Sequence, residues 1–87
     1  MKCSCCGRKK KLFESFENIG KGGNVCVDCS DILYRIHDAV SEKQMEEYQL
    51  RIEEVNGYIK KNKNSETFKV WFENDFIKRN QITKIDI

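Results

Sequence analysis

The chain has 87 residues, with 16 Lys or Arg against 14 Asp or Glu, so its formal net charge is only +2. This length suits one small domain, and the near balance of charge excludes a protein that binds polyanions over its whole surface. The longest apolar runs span only three residues, and no apolar signal region follows Met1. We therefore expect a cytoplasmic protein with no membrane among its partners.

Four of the five cysteines form two pairs with the same internal spacing. Cys3 and Cys6 are followed, after 19 intervening residues, by Cys26 and Cys29. Two residues between cysteines let a tight turn aim both sulfurs at one point, and four thiolates complete a tetrahedral zinc site. We therefore expect one structural Zn²⁺ ion on these four residues. Gly7 should help the first turn, which we call the knuckle (residues 3–7), to fold back.

Other cysteine chemistries fit this pattern less well. Iron–sulfur ligation is the main alternative to zinc, because it uses the same residues. A redox pair normally occurs alone within a βαβ unit, and disulfides conflict with the odd count. Four cysteine ligands leave no position for a catalytic water, so we expect no enzymatic activity. The remaining Cys5 is interpreted as a small apolar filler in the knuckle, with a redox-sensitive thiol as the alternative.

The segment between the cysteine pairs predicts a small β-hairpin. Short apolar pieces in residues 11–19 lead into the glycine-rich turn of residues 20–24, and Val25 follows. A helix from about Cys26 to Val40 comes next, because apolar residues recur there at helical spacing. A knuckle, a hairpin and a cysteine pair at a helix start are typical of a treble-clef zinc finger, which we assign to residues 1–40.

Residues 41–87 are predicted to be mainly helical, so the fold class is a small α+β protein. A helix over about 42–60 follows from a heptad-like seam of apolar residues, namely Met45, Tyr48, Ile52, Val55 and Ile59. The seam is out of phase with the first helix, which predicts a bend near Ser41. Ser41 and Gln44 also match a capping box.

A third helix is predicted over 66–79, with Ser65 as its N-cap and acids early and bases late in it. The tail, residues 81–87, is expected to be a short extended piece or disordered. His37, the only histidine, is expected on the surface of the first helix.

Residues 3–36 combine a C-S-x-C-G knuckle, a Val before the second pair, and C-x-D-C at a helix start. In these features they resemble the N-terminal zinc-binding domain of the ClpX unfoldase family. The resemblance implies a treble clef that binds zinc through Cys3, Cys6, Cys26 and Cys29, dimerises, and binds substrates and adaptor proteins. No phosphate-binding loop follows, so the sequence does not predict an ATPase. The paired cysteines are also similar, more weakly, to the Gin-type anti-sigma proteins.

An aromatic stripe runs along the third predicted helix, and it consists of Phe68, Trp71, Phe72 and Phe76. The stripe either packs as core on the apolar seam or serves as a partner-binding surface, and both hold if a second copy covers it in a homodimer. With the saturated metal site, this favours a non-enzymatic protein–protein interaction module, such as an adaptor, inhibitor or regulator.

A basic run follows the knuckle and consists of Arg8, Lys9, Lys10 and Lys11. It suggests the alternative function, a nucleic-acid-binding zinc-finger regulator that contacts phosphates. The charge is segmented, however, because residues 1–23 carry a net +4 and residues 24–57 carry a net −5. The acidic middle would repel phosphates, so a protein partner is the preferred prediction.

Overall fold

The computed structural model describes residues 1–80, which form a small α+β protein with a two-stranded hairpin and three helices. Strands β1 (Glu17–Asn18) and β2 (Asn24–Val25) are antiparallel, with Glu17 opposite Val25. The predicted hairpin is confirmed, but it is shorter than residues 11–25. Phe16 and Ile19 pack against the core, whereas the earlier apolar residues of this segment are exposed.

The first two helices pack side by side as a hairpin. Helix α1 (Val27–Ser41) and helix α2 (Met45–Lys61) are separated by the predicted bend. The Gln44 N–H donates to the Ala39 carbonyl over 2.9 Å, and Lys43 adopts a left-handed φ of 56°. The predicted capping box is wrong, because Ser41 is the last residue of α1 and Gln44 makes no side-chain cap.

The third helix begins and ends where the sequence predicts, but its middle is wider than an α-helix. It consists of α3 (Glu66–Trp71), a π-helical segment (Phe72–Phe76) and α4 (Ile77–Arg79). In an α-helix, each step of four residues overshoots a full turn by about 40°. The wider π turn reverses this drift, so Phe76 stays on the same face as Phe72. Their rings stack with centroids 5.4 Å apart.

Ser65 stands before α3 as predicted, but it does not cap that helix. Its hydroxyl instead donates to the carbonyls of Ile59 at 2.9 Å and Asn62 at 2.7 Å. These carbonyls belong to the end of α2, where the helix leaves its last acceptors without partners. Ser65 therefore stabilises the end of α2 and fixes the turn between the two helices.

The aromatic stripe lies in the core. All of its members are at most 8% exposed, and these are Phe68, Trp71, Phe72 and Phe76. They share one cluster with side chains from the cysteine region and from both earlier helices, such as Val25, Ile36 and Val55. The interpretation of the stripe as core is therefore the supported one. Its interpretation as a partner-binding surface fails in this conformation, because the chain itself covers almost all of its area.

The shared core also crosses the boundary that the sequence suggests near residue 40. The predicted tail, residues 81–87, lies outside the described residues. None of the helices within residues 1–80 has the length and apolar character needed to cross a membrane.

Candidate metal centre

The knuckle is a tight backbone turn between two flanking residues, Lys2 and Lys9, which pair as an antiparallel bridge. The Gly7 N–H donates to the Cys3 carbonyl over 2.9 Å, which folds the chain back after the first cysteine pair. Gly7 has a φ of +80°, a conformation that other residues avoid. The predicted role of Gly7 in the turn is confirmed.

The second cysteine pair lies where the hairpin passes into α1. Cys26 stands directly before the helix and Cys29 lies in its first turn. The Ser4 N–H donates to the Asn24 carbonyl over 2.8 Å, so the knuckle is attached to strand β2 just before Cys26. This attachment brings the two cysteine pairs together. The helix start also favours negative charge on these sulfurs.

The sulfurs of Cys3, Cys6, Cys26 and Cys29 all lie within 4.8 Å of one another, with Cys6 and Cys26 Sγ 3.8 Å apart. A tetrahedral zinc ion with Zn–S bonds of about 2.3 Å requires sulfurs about 3.8 Å apart. The spacing therefore fits a single metal ion. A cluster of several irons places further iron and sulfide atoms between its thiolates and needs a wider set. The four cysteines predicted as ligands thus form a group that can hold one metal ion.

Backbone N–H groups point at one of the four sulfurs. Cys3 Sγ accepts from the Cys26 N–H at 3.3 Å and from the Cys6 N–H at 3.4 Å. A hydrogen bond from the Cys29 thiol, together with these N–H groups, lowers the pKa of Cys3 to about 4. Cys3 therefore loses its proton more readily than Cys6 or Cys29, and it is ready to bind a cation as a thiolate.

Cys6 and Cys29 hold their protons when no cation is present. Burial raises the pKa of Cys6 to about 11, and the hydrogen bond to Cys3 raises the pKa of Cys29. Four thiolates this close together repel one another unless a cation neutralises them. A divalent metal would displace these protons on binding, as thiolate ligation requires.

Cys5 lies in the same turn but outside the group of four ligands. Its side chain is 1% exposed and belongs to the core cluster. This burial agrees with the interpretation of Cys5 as a filler of the knuckle, although its thiol also forms a hydrogen bond with Cys29. Redox-sensing thiols are accessible to oxidants, so this burial argues against the alternative role.

Asn62, which the sequence did not single out, connects the knuckle to the end of α2. Its side-chain amide donates to the carbonyls of Ser4 at 3.3 Å and Cys5 at 3.2 Å. A Cβ on Gly7 would lie 3.0 Å from Asn62 Oδ1, so glycine also makes room for this contact. An asparagine after a helix commonly forms local turns, and its sequence position carries no signal of a partner 57 residues away.

The basic run is not a uniform set of free cations. The Arg8 guanidinium binds both carboxylate oxygens of Glu14 and lies 5.7 Å from the centroid of the Phe16 ring. This pairing raises the pKa of Arg8 and lowers that of Glu14 to about 2. Arg8 therefore forms its ion pair with Glu14 within the chain and is not available to bind phosphate, whereas Lys9 and Lys11 are exposed.

His37 lies on the exposed side of α1, as predicted. Its Nδ1 is 2.8 Å from the side-chain oxygen of Asn80. This histidine connects α1 to the end of the third helix and is not one of the four residues that surround the metal position.

No protein-family model, no curated protein and no solved structure matches this chain.

Proposed function

We propose that the protein is a zinc-binding, non-enzymatic interaction module that acts as an adaptor, inhibitor or regulator of a larger protein. The observation that carries the zinc assignment is the group of four sulfurs within 4.8 Å of one another. Four thiolates suit zinc and fill its tetrahedral coordination. A filled site offers no position for water or substrate, which supports a structural rather than a catalytic metal.

The order of elements around the site supports a treble clef. A knuckle, the β1–β2 hairpin and the start of α1 follow one another, with two cysteines at each end. The motif resemblance to the zinc-binding domain of the ClpX family agrees with this order, and it suggests substrate or adaptor proteins as partners. The Gin-type similarity suggests a regulatory protein as the target.

Metal analysis tests the zinc assignment directly. We expect about one zinc per chain, because the four sulfurs fit one ion. A strong chelator should remove it and unfold the knuckle, since metal binding contributes on the order of 10 kcal/mol to the folding of such sites. Iron in the purified protein, or a fully folded metal-free chain, would contradict the assignment.

Capture from cells that express the protein naturally tests the interaction role. The zinc-loaded full chain should retain one protein in stoichiometric amount after nuclease treatment, and the Cys26→Ser variant should not. The retained protein must then bind the purified chain in a two-component assay. Recovery of nucleic acid alone, lost on nuclease treatment, would instead favour the nucleic-acid alternative.

A further inference from the structure

Two large apolar side chains stand at the tip of a structured turn that follows the knuckle. Leu12 is 84% and Phe13 is 96% exposed, the highest exposures among the large hydrophobic residues described. The Glu14 N–H donates to the Lys11 carbonyl over 3.2 Å, which closes a turn with Leu12 and Phe13 at its centre. We call this pair the Leu12–Phe13 tip.

The turn is held in place by its own side chains. Glu14 accepts the Lys11 N–H at 3.0 Å through Oε1, and the same carboxylate binds Arg8 at the base of the loop. Arg8 in turn lies over the Phe16 ring, which packs on the core. The tip is therefore presented by an ordered loop, and little conformational entropy is lost when it binds.

Tertiary structure concentrates lysines around this end of the molecule. Asn62 holds the end of α2 against the knuckle, so the lysines near that end join those of the loop. The combined set is Lys2, Lys9, Lys10, Lys11, Lys60, Lys61 and Lys63. The two acids that follow the loop are engaged within the chain, Glu14 by Arg8 and Glu17 by the hydroxyls of Ser30 and Tyr34. Asp28 and Glu66 stand at the starts of α1 and α3.

The acidic residues of α2 begin at its other end. Glu46 and Glu47 lie in its first turn, and the helix has 17 residues. At 1.5 Å per residue, about 25 Å separates the two ends of the helix. Glu53 and Glu54 lie nearer the middle of the helix, where Glu54 is paired with Arg51. The lysines at the end of α2 are therefore set apart from the acidic pair at its start.

We propose that the Leu12–Phe13 tip docks on the surface of an anionic phospholipid bilayer. Lysines attract acidic headgroups, while the apolar pair enters the boundary between headgroups and acyl chains. Such a peripheral contact needs no long apolar run, so the absence of one from the sequence does not exclude it.

The shape of the tip favours a bilayer over a protein or a nucleic acid. A phenylalanine side chain buries about 200 Å², well below the roughly 800 Å² per partner of a stable protein interface. A fluid bilayer accepts a protruding tip without a complementary pocket. Nucleic acids bind aromatic rings by stacking, and a leucine beside the ring adds nothing to that mode.

Vesicle flotation with the zinc-loaded full chain tests this proposal. The protein should float with phosphatidylcholine vesicles that contain about one third phosphatidylserine, and not with phosphatidylcholine alone. The double variant Leu12→Ser, Phe13→Ser should bind at least about tenfold more weakly, because it removes the inserted apolar area. Changing Lys9, Lys10 and Lys11 to Gln should weaken binding about a hundredfold, at about fivefold for each lysine.

A matched control uses exposed apolar residues elsewhere. Leu50→Ser with Val70→Ser removes side chains that are 53% and 48% exposed and should leave vesicle binding unchanged. Unchanged zinc content and helical signal will show that each variant is folded. In a Phe13→Trp variant, the indole fluorescence should shift to shorter wavelength when phosphatidylserine vesicles are added.

Two outcomes would overturn the proposal. One is no binding to the phosphatidylserine vesicles, or binding that the Leu12 and Phe13 changes leave intact. The other is tighter binding to a mixed-sequence single-stranded oligonucleotide that depends on the lysines alone. Neither outcome bears on zinc or on a protein partner, so this proposal fails or stands separately from the proposed function.

Discussion

The cysteine region and the three helices bury different kinds of side chain. Residues 1–26 bury three cysteines and Val25 and leave Leu12 and Phe13 in solvent, whereas the helices bury four aromatic rings and several aliphatic side chains. A region with so little apolar material is poorly stabilised by burial alone, and a metal ion held by the four cysteines would supply the missing stability. The comparison teaches that one small chain can combine both means of stabilisation, joined through a shared core and through Asn62.

Loss of one metal ligand should separate the two regions most clearly. In Cys26→Ser we expect zinc content to fall to near zero, with a loss on the order of 10 kcal/mol of stabilisation at the knuckle. Hydrogen exchange should show unprotected knuckle amides, while amides of the aromatic core keep more protection. Cys5→Ala is the control and should retain its zinc, since Cys5 lies outside the ligand group. Equal metal loss in both variants would show that the ligands are not the four assigned cysteines.

Truncation of a buried ring should act on the helical region instead. Phe72 is 1% exposed and stacks on two other rings, so Phe72→Ala should lower the free energy of unfolding by about 3–5 kcal/mol. Zinc stoichiometry should stay near one per folded chain. Val70→Ala, at a side chain 48% exposed, should change stability by less than about 0.5 kcal/mol. Urea unfolding in excess zinc measures both, and similar losses in the two variants would contradict the assigned core.

A change at the junction should weaken both regions together. The Asn62→Asp change keeps the side-chain oxygen that accepts the Asn64 N–H. It removes the NH2 group that donates to the carbonyls of Ser4 and Cys5, and it places a carboxylate oxygen against those two carbonyls instead. We expect a loss of about 1–3 kcal/mol and faster zinc transfer to a chelator. Asn64→Asp, on an exposed residue, is the control for the added charge. If both variants behave alike, the Asn62 contact does not couple the regions.

The smallest expected effect concerns the ion pair at the base of the loop. The hydrogen bonds from Arg8 and from the Lys11 N–H hold the pKa of Glu14 at about 2, below its ordinary value of 4.5. Because the folded-state value is lowered, the pair stabilises the loop above pH 4.5 and this stabilisation is lost as the pH falls toward 2. An NMR titration of the Glu14 carboxyl carbon should show the low midpoint, and Arg8→Gln should move it toward 4.5. An unchanged midpoint in Arg8→Gln would show that Arg8 is not its partner.

Several features could be predicted from the sequence because their signals are local. The spacing of the cysteines predicts one four-sulfur group, and helical periodicity predicts the three helices to within a few residues at each end. The phase mismatch after Val40 predicts the bend that the structure has at residues 42–44. Each of these depends on residues that are close together in the chain.

Other features depended on which distant elements pack together. The sequence alone left the aromatic stripe open between core and interface, and the structure decides for core because both earlier helices and the cysteine region cover it. The same packing sets three polar contacts that the sequence did not indicate. These are the hydrogen bond of the Ser65 hydroxyl to the end of α2, the pairing of Arg8 with Glu14, and the contact of Asn62 with the knuckle. Local pattern determined which side chains can bind a metal or form a helix, whereas tertiary structure decided which surfaces remain free, because exposure depends on every neighbour in space.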